Sequence, residues 1–238
     1  MIPSRLALKG PYPSYAAANA EATGYDSIAI TEHVQTAVRA LASGEIAYER
    51  DGTGYLHRPP ELKIRKVLAT NLGFDDVVVD FGGGLGGTFF NHADLFSAQT
   101  TKVVVEQPAF ARAGRSLAKE LGTDIYFYDS LSMLNKADII IASSVLQYLV
   151  DYYEALSQMI ALQPRLIIID RTAFARKERW YIQECVGYGE KLARIPIRPI
   201  ELDRLKLFLP GYVLSGSWAN SFDPGWPMHR GHLFLRES

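Results

Sequence analysis

The sequence predicts a doubly wound α/β fold, and three observations carry that expectation. Five short runs of β-branched and aromatic residues recur from Val77 onward, helical repeats lie between them, and a glycine cluster follows the first run directly. Runs this short and apolar on both faces are strands buried on both sides, which calls for a parallel sheet covered by helices. With 238 residues, 48% of them apolar and 21% charged, the chain can bury one substantial core and is too apolar for wholesale disorder.

In chain order, residues 1–74 read as an N-terminal helical cap. Thr31 is placed to cap a helix with Val34, Ala37, Val38 and Leu41 on one face, stopped by Gly44. Pro60 opens another, with Ile64, Val67, Leu68 and Leu72 aligned and Gly73 at its end. Tyr48 to Gly54 between them reads as a polar loop. Residues 75–238 form the sheet domain. Its strand candidates are Val77–Val79, Lys102–Val105, Ile125–Tyr128, Asp138–Ile141 and Leu166–Ile169. Phe110, Ala113, Leu117 and Leu121 repeat at helical spacing, as do Leu149, Tyr153, Leu156 and Ile160, so the series is βαβαβ. After a mixed region, Tyr212–Leu214 and His232–Leu235 read as an antiparallel edge pair.

Charge and composition exclude several classes. The net charge of −1 removes an overall electrostatic case for nucleic acid as a partner. From Arg165 onward twelve Lys and Arg face eight Asp and Glu, which reads either as solvated helix faces or as a pocket suited to an anionic substrate. No apolar run reaches the ~20 residues that span a bilayer, so no membrane partner is expected, and Met1 to Tyr15 has no signal-peptide stretch. A lone Cys185 reads as a small buried hydrophobe on a helix. A cytoplasmic location is the expectation.

The chemistry concentrates at Val77-Val78-Val79-Asp80-Phe81-Gly82-Gly83-Gly84-Leu85-Gly86-Gly87, a buried strand that ends in an acid and runs into glycines. Glycine permits φ > 0 and lets a ligand approach the main chain without a Cβ in the way. The segment fits D-x-G-x-G-x-G through Asp80, Gly82, Gly84 and Gly86, and equally G-x-G-x-x-G through Gly82, Gly84 and Gly87. Glu106 closes the second strand, where a carboxylate can accept from both ribose hydroxyls of an adenosine cofactor. The glycines alone do not choose the cofactor.

From Asp80 through Leu149 the chain resembles class I S-adenosylmethionine-dependent methyltransferases. The resemblance rests on the glycine segment, Glu106-Gln107-Pro108, Asp129-Ser130 after the third strand and Ser143 to Leu149 after the fourth. More closely, the chain is similar to an uncharacterised methyltransferase family associated with surface-polysaccharide biosynthesis. The shared features are Gly24-Tyr25-Asp26, Tyr48-Glu49-Arg50-Asp51, Asp170-Arg171-Thr172 and Arg230-Gly231-x-Leu233-Phe234; Ala173 stands where that family has proline. The resemblance implies a Rossmann-like sheet of seven strands whose last is antiparallel. It also implies S-adenosylmethionine as cofactor, with Gly82, Gly83, Gly84 and Gly86 against its methionine part and Glu106 with Gln107 at the ribose. Asp129 and Ser130 then reach toward adenine, Ser143 lines the floor, and Tyr48 or Arg50 closes over the cofactor carboxylate.

The acceptor expected is a small polar molecule, a sugar or nucleotide sugar, held near Gln147, Tyr148, Arg171, Thr172, Trp226 and His229. A hydroxyl acceptor needs a base. His229 is the first candidate, because histidine can be neutral and accept a proton near pH 7, and Asp170 is the second. Tyr148 reads as core or as a pocket residue. His229 and His232 have no carboxylate or cysteine cluster beside them, so no metal is expected. His92 reads as structural or at most as a residue at the cofactor's rim. Two rival readings stand beside methyl transfer: an NAD(P)-dependent oxidoreductase and a non-catalytic S-adenosylmethionine-binding module.

Overall fold

The structure is a computed structural model that describes residues 7–24, 28–59, 62–186, 192–219 and 229–237. The N-terminal part holds β1 (Ala7–Tyr12), α1 (Tyr15–Asn19), α2 (Ile28–Ser43), β2 (Tyr48–Arg50), β3 (Thr53–Tyr55) and α3 (Lys63–Asn71). The alternating part follows with β4 (Val77–Phe81), α4 (Gly87–Asn91), β5 (Thr101–Val105), α5 (Pro108–Leu121), β6 (Ile125–Tyr128), β7 (Ile139–Ser143), α6 (Tyr152–Ala161) and β8 (Leu166–Ala173). The chain then forms β9 (Trp180–Val186), β10 (Leu192–Ile197), α7 (Leu202–Leu207), β11 (Tyr212–Ala219) and β12 (His229–Arg236).

The central sheet has seven strands in the order β11-β12-β8-β7-β4-β5-β6. β4 pairs in parallel with β5 and β7, as do β5 with β6 and β7 with β8, whereas β12 runs antiparallel to both β8 and β11. This is the expected doubly wound sheet with an antiparallel last strand. Alternate residues of each inner strand enter opposite cores. Val79, Ile140 and Ile167 pack with Tyr152, Leu156 and Met159 of α6, while Val78, Ile139, Ile141 and Ile168 pack with Leu68 of α3, Phe89 of α4 and Ala111 of α5. β-branched residues favour this setting because their restricted χ1 suits a pleated surface, and each fully buried one contributes about 1.5–3 kcal/mol. Helix ends follow local chemistry: Pro108 opens α5 and Gly122, at φ +63°, stops it.

Several local expectations change, and Cys185 lies in the strand β9 rather than on a helix. α2 begins at Ile28, before the Thr31 cap expected from the sequence. Leu149 lies outside α6, because Asp151 caps that helix through the N–H groups of Tyr153 and Glu154; Leu146–Tyr148 forms a separate 3-10 turn. The segment read as an all-helical cap also holds strands. β1 joins β9 and β10 in a second, three-stranded sheet, with Ala7 opposite Glu184. The polar loop is the β2–β3 hairpin, turned by Asp51 at φ +50° and Gly52 at φ +78°. Positive φ at both turn residues matches the right-handed twist of a two-stranded ribbon. Among the described residues no helix is long and apolar enough to cross a membrane.

Candidate functional site

Parallel pairing brings the carboxyl ends of β4 to β8 to one edge, where open α/β sheets bind ligands. β12 runs the other way, so its first residue, His229, arrives at the same edge opposite Ala173. Trp226 lies outside the described residues.

After β4 the chain turns through Gly82, Gly84 and Gly86 at φ +75°, +58° and +86°. A Cβ on Gly82 would stand 2.5 Å from Val145, and one on Gly83 would overlap the Asp80 carboxylate. A Cβ on Gly84 would meet nothing within 4 Å. Gly82 and Gly83 are therefore glycine for packing, while Gly84 opens onto free space. Asp80 is buried beneath this turn; its Oδ2 has no hydrogen-bond partner. Burial pushes its carboxyl up to about 7, opposed by a hydrogen bond from Thr88 and reinforced by nearby Glu106.

Glu106 leaves β5 with Oε1 accepting from the Gly84 N–H at 3.2 Å and Oε2 from the Gln107 N–H at 2.7 Å. Its pKa is raised by burial, and those two N–H groups hold it back. The acid and the glycine turn thus form one unit, as their order in the chain suggested. Asp129 is exposed at the end of β6, and Ser130 caps the next 3-10 turn through the Ser132 N–H. Ser143, at the end of β7, lies in register with Asp170.

The β2–β3 hairpin docks beside α4. Asn91 accepts from the Glu49 N–H at 2.9 Å and donates to the Glu49 carbonyl at 2.7 Å. The Glu49 carboxylate closes the turn by accepting from the Gly52 N–H at 2.7 Å and abuts Gly87, leaving no room for a Cβ there. Burial raises Glu49 to about 7. Tyr48 and Arg50 are buried in the same hairpin. Its tip is tied across the site by a two-pronged ion pair from Arg171 to Asp51, with oxygens at 2.5 and 3.4 Å. Arg171 holds φ +49° at a bulge in β8, and Ser144, after β7, holds φ +56°. Strained non-glycine backbone at two adjacent strand ends is a feature that functional sites concentrate.

Asp170 is buried beside Arg171 and accepts from Trp218 Nε1 at 2.8 Å; burial raises its pKa. Tyr148 sits on the 3-10 turn rather than in a helix, and its hydroxyl donates to Gln183 of β9 at 3.0 Å. Gln147 is fully buried and donates to Ser144 Oγ and the Arg171 carbonyl, both at 3.3 Å. His92 and His232 are buried, and desolvation lowers both to about 4. His232 pairs with Ser217 at 2.8 Å, and among the described residues no His, Cys, Asp and Glu group could hold a metal ion. Glu49 and Asp51 entered the sequence reading only as part of the Tyr48–Asp51 segment, with no role of their own, and Asn91 and Trp218 did not enter it. Only the Asp51-Gly52 pair carried a local signal, as a hairpin turn.

No family model matches the chain, and no curated protein matches it. Solved structures do. The CcbJ methyltransferase from Streptomyces caelestis superposes with a TM-score of 0.52 at 13% identity, over 72% of this chain and 88% of that one. The 1,6-didemethyltoxoflavin-N1-methyltransferase of Burkholderia thailandensis, solved with its substrate and S-adenosylhomocysteine, gives 0.52 at 19% identity over 73% and 76%. The chain has the class I methyltransferase fold. That fold hosts other chemistry as well, since a pericyclic-reaction enzyme matches with a TM-score of 0.51 at 13% identity, over 76% of this chain and 50% of that one. None of the comparisons links the chain to surface-polysaccharide biosynthesis.

Proposed function

We propose that this protein is an S-adenosylmethionine-dependent methyltransferase of the cytoplasm acting on a small polar acceptor. The observation that carries the reading is the cradle after β4. Three glycines at positive φ, open space over Gly84, an unpartnered buried Asp80 oxygen and Glu106 at the next strand end suit an adenosine-containing ligand. In this reading Gly82 to Gly86 hold the methionine part, Glu106 and Gln107 the ribose, Asp129 and Ser130 the adenine end, and Ser143 the floor. Residues 1–74 serve as a lid through Tyr48 and Arg50 of the docked hairpin.

The cofactor supplies an electrophilic methyl group. The chain's own task is to hold the acceptor in line and exclude water, and positioning of this kind contributes on the order of 7–11 kcal/mol. A hydroxyl acceptor also loses a proton, for which His229 and Asp170 stand at the ligand edge, with Tyr148 orienting the acceptor from the 3-10 turn. A nucleotide sugar is the acceptor to test first, on the resemblance to a polysaccharide-associated family. Calorimetric titration with S-adenosylhomocysteine tests the cofactor, and NAD binding in its place overturns it. Turnover of labelled S-adenosylmethionine with a panel of nucleotide sugars tests the reaction. The pericyclic-reaction neighbour supports a second reading, in which this fold runs a different reaction; cofactor binding without methyl transfer to any acceptor favours it.

A further inference from the structure

The cationic excess that begins at Arg165 is not spread evenly. Arg165 pairs with Asp76 at 2.6 Å, Arg171 with Asp51 at 2.5 Å, Arg194 with Glu184 at 3.2 Å and Lys206 with Asp203 at 3.0 Å. Three others gather around a cavity of about 540 Å³ at the junction of β1, β9 and β10, where Arg179, Arg198 and Arg204 line a space walled by Tyr12, Trp180 and flanking prolines. Its one carboxylate, Glu178, is already engaged. It accepts from the hydroxyls of Tyr152 and Tyr153 and from the Glu201 N–H. Arg198 and Arg204 form ion pairs with it at 3.8 and 3.7 Å without a hydrogen bond. They also lie over aromatic rings, Arg198 over Tyr152 and Trp180 and Arg204 over Tyr153, and the cavity's three guanidinium groups share one carboxylate. Among the described residues these three guanidinium groups make one hydrogen bond, from Arg198 Nη2 to the Val150 carbonyl at 3.2 Å, and the buried Arg198 Nε has no acceptor.

We propose that this cavity binds the phosphate-bearing end of a small molecule. Guanidinium groups match phosphate oxygens in two-pronged geometry, and three of them against one carboxylate, with most N–H donors making no hydrogen bond, suit a phosphorylated organic ligand beside aromatic and proline walls. Its position says which ligand. The Arg198 N–H donates to the Gln147 carbonyl at 2.8 Å, so the cavity abuts the 3-10 turn that carries Tyr148 at the carboxyl edge of the sheet. A phosphate held there belongs to an acceptor whose other end reaches that edge. The assignment to the acceptor rests on the methyl-transfer reading; the anion site itself does not.

The test is calorimetric titration of the full chain with inorganic pyrophosphate, at low salt and without cofactor. The double variant Arg179→Gln/Arg204→Gln changes two exposed side chains, so the fold is retained, and its affinity for pyrophosphate falls about tenfold or more. Arg39→Gln, at an exposed pair with Glu120 elsewhere on the surface, leaves binding unchanged. Absence of pyrophosphate binding by the wild type, or equal binding by the double variant, overturns the site. Loss of S-adenosylhomocysteine binding with pyrophosphate binding intact strikes only the methyl-transfer reading and, with it, the assignment to the acceptor.

Discussion

Gly84 and Gly82 separate two reasons for being glycine. A Cβ at Gly84 meets only open space, so Gly84→Ala bears just the left-handed backbone penalty, about 1–2 kcal/mol. A Cβ at Gly82 also strikes Val145, and overpacking raises the cost to about 2–4 kcal/mol. Urea denaturation should therefore find Gly84→Ala the more stable of the two, while titration finds that it still loses S-adenosylhomocysteine, because its methyl occupies the ligand's approach. Retained affinity in Gly84→Ala would place the cofactor elsewhere. His229→Ala removes a buried group at the carboxyl edge, remote in sequence from the glycine turn. It should keep S-adenosylhomocysteine affinity and lose roughly 10²–10⁴ in kcat if His229 takes the proton. Near-normal turnover, with the loss appearing in Asp170→Asn, moves the role to Asp170.

The β2–β3 hairpin shows how an element is placed by contacts its own sequence does not contain. Two reciprocal hydrogen bonds to Asn91 fix it beside α4, and both Glu49 main-chain groups lose their partner in Asn91→Ala. Leaving a buried N–H and a buried carbonyl unmet costs about 2–4 kcal/mol. Amide exchange over residues 48–55 should accelerate, and S-adenosylhomocysteine affinity should fall if Tyr48 and Arg50 cover the cofactor. Unchanged affinity with fast exchange would detach the hairpin from cofactor binding. The Arg171–Asp51 pair at the tip is more exposed, so Asp51→Ala should cost no more than about 1 kcal/mol of global stability. Residues 48–54 read from sequence only as a polar loop, because the docking partners lie dozens of residues downstream.

At the scale of the whole molecule, two buried carboxyls and two buried imidazoles among the described residues oppose one another. Glu49 and Asp80 are raised to about 7 from ordinary values of 4.5 and 3.8, so the folded state binds more protons than the unfolded state within those windows. Their contribution is fully present below the unfolded values and is lost as pH rises through about 7. His92 and His232 are lowered from 6.5 to about 4, so their contribution is present above 6.5 and is lost as pH falls through about 4. Between 4.5 and 6.5 the two pairs have opposite slopes. Glu49→Gln removes one acidic member, so denaturation midpoints of this variant should climb more steeply with pH across that interval than those of the wild type. Parallel curves would show that Glu49 ionises normally in the folded chain.

By itself the sequence determined the alternating sheet, the glycine turn and the acid at the following strand end. Each is written in contiguous residues: apolar runs such as Ile139–Ile141, glycines where φ must be positive, and a carboxylate one crossover later. Tertiary structure decided the rest. β1 pairs with β9 across most of the chain, the hairpin meets Asn91 and Arg171, and the antiparallel β12 delivers His229 to the edge reached by Asp170. Local periodicity reports which face of an element is apolar, since burial acts on neighbouring side chains through their spacing. Which distant element covers that face depends on packing and hydrogen bonding summed over the folded chain, and no window of sequence contains that sum.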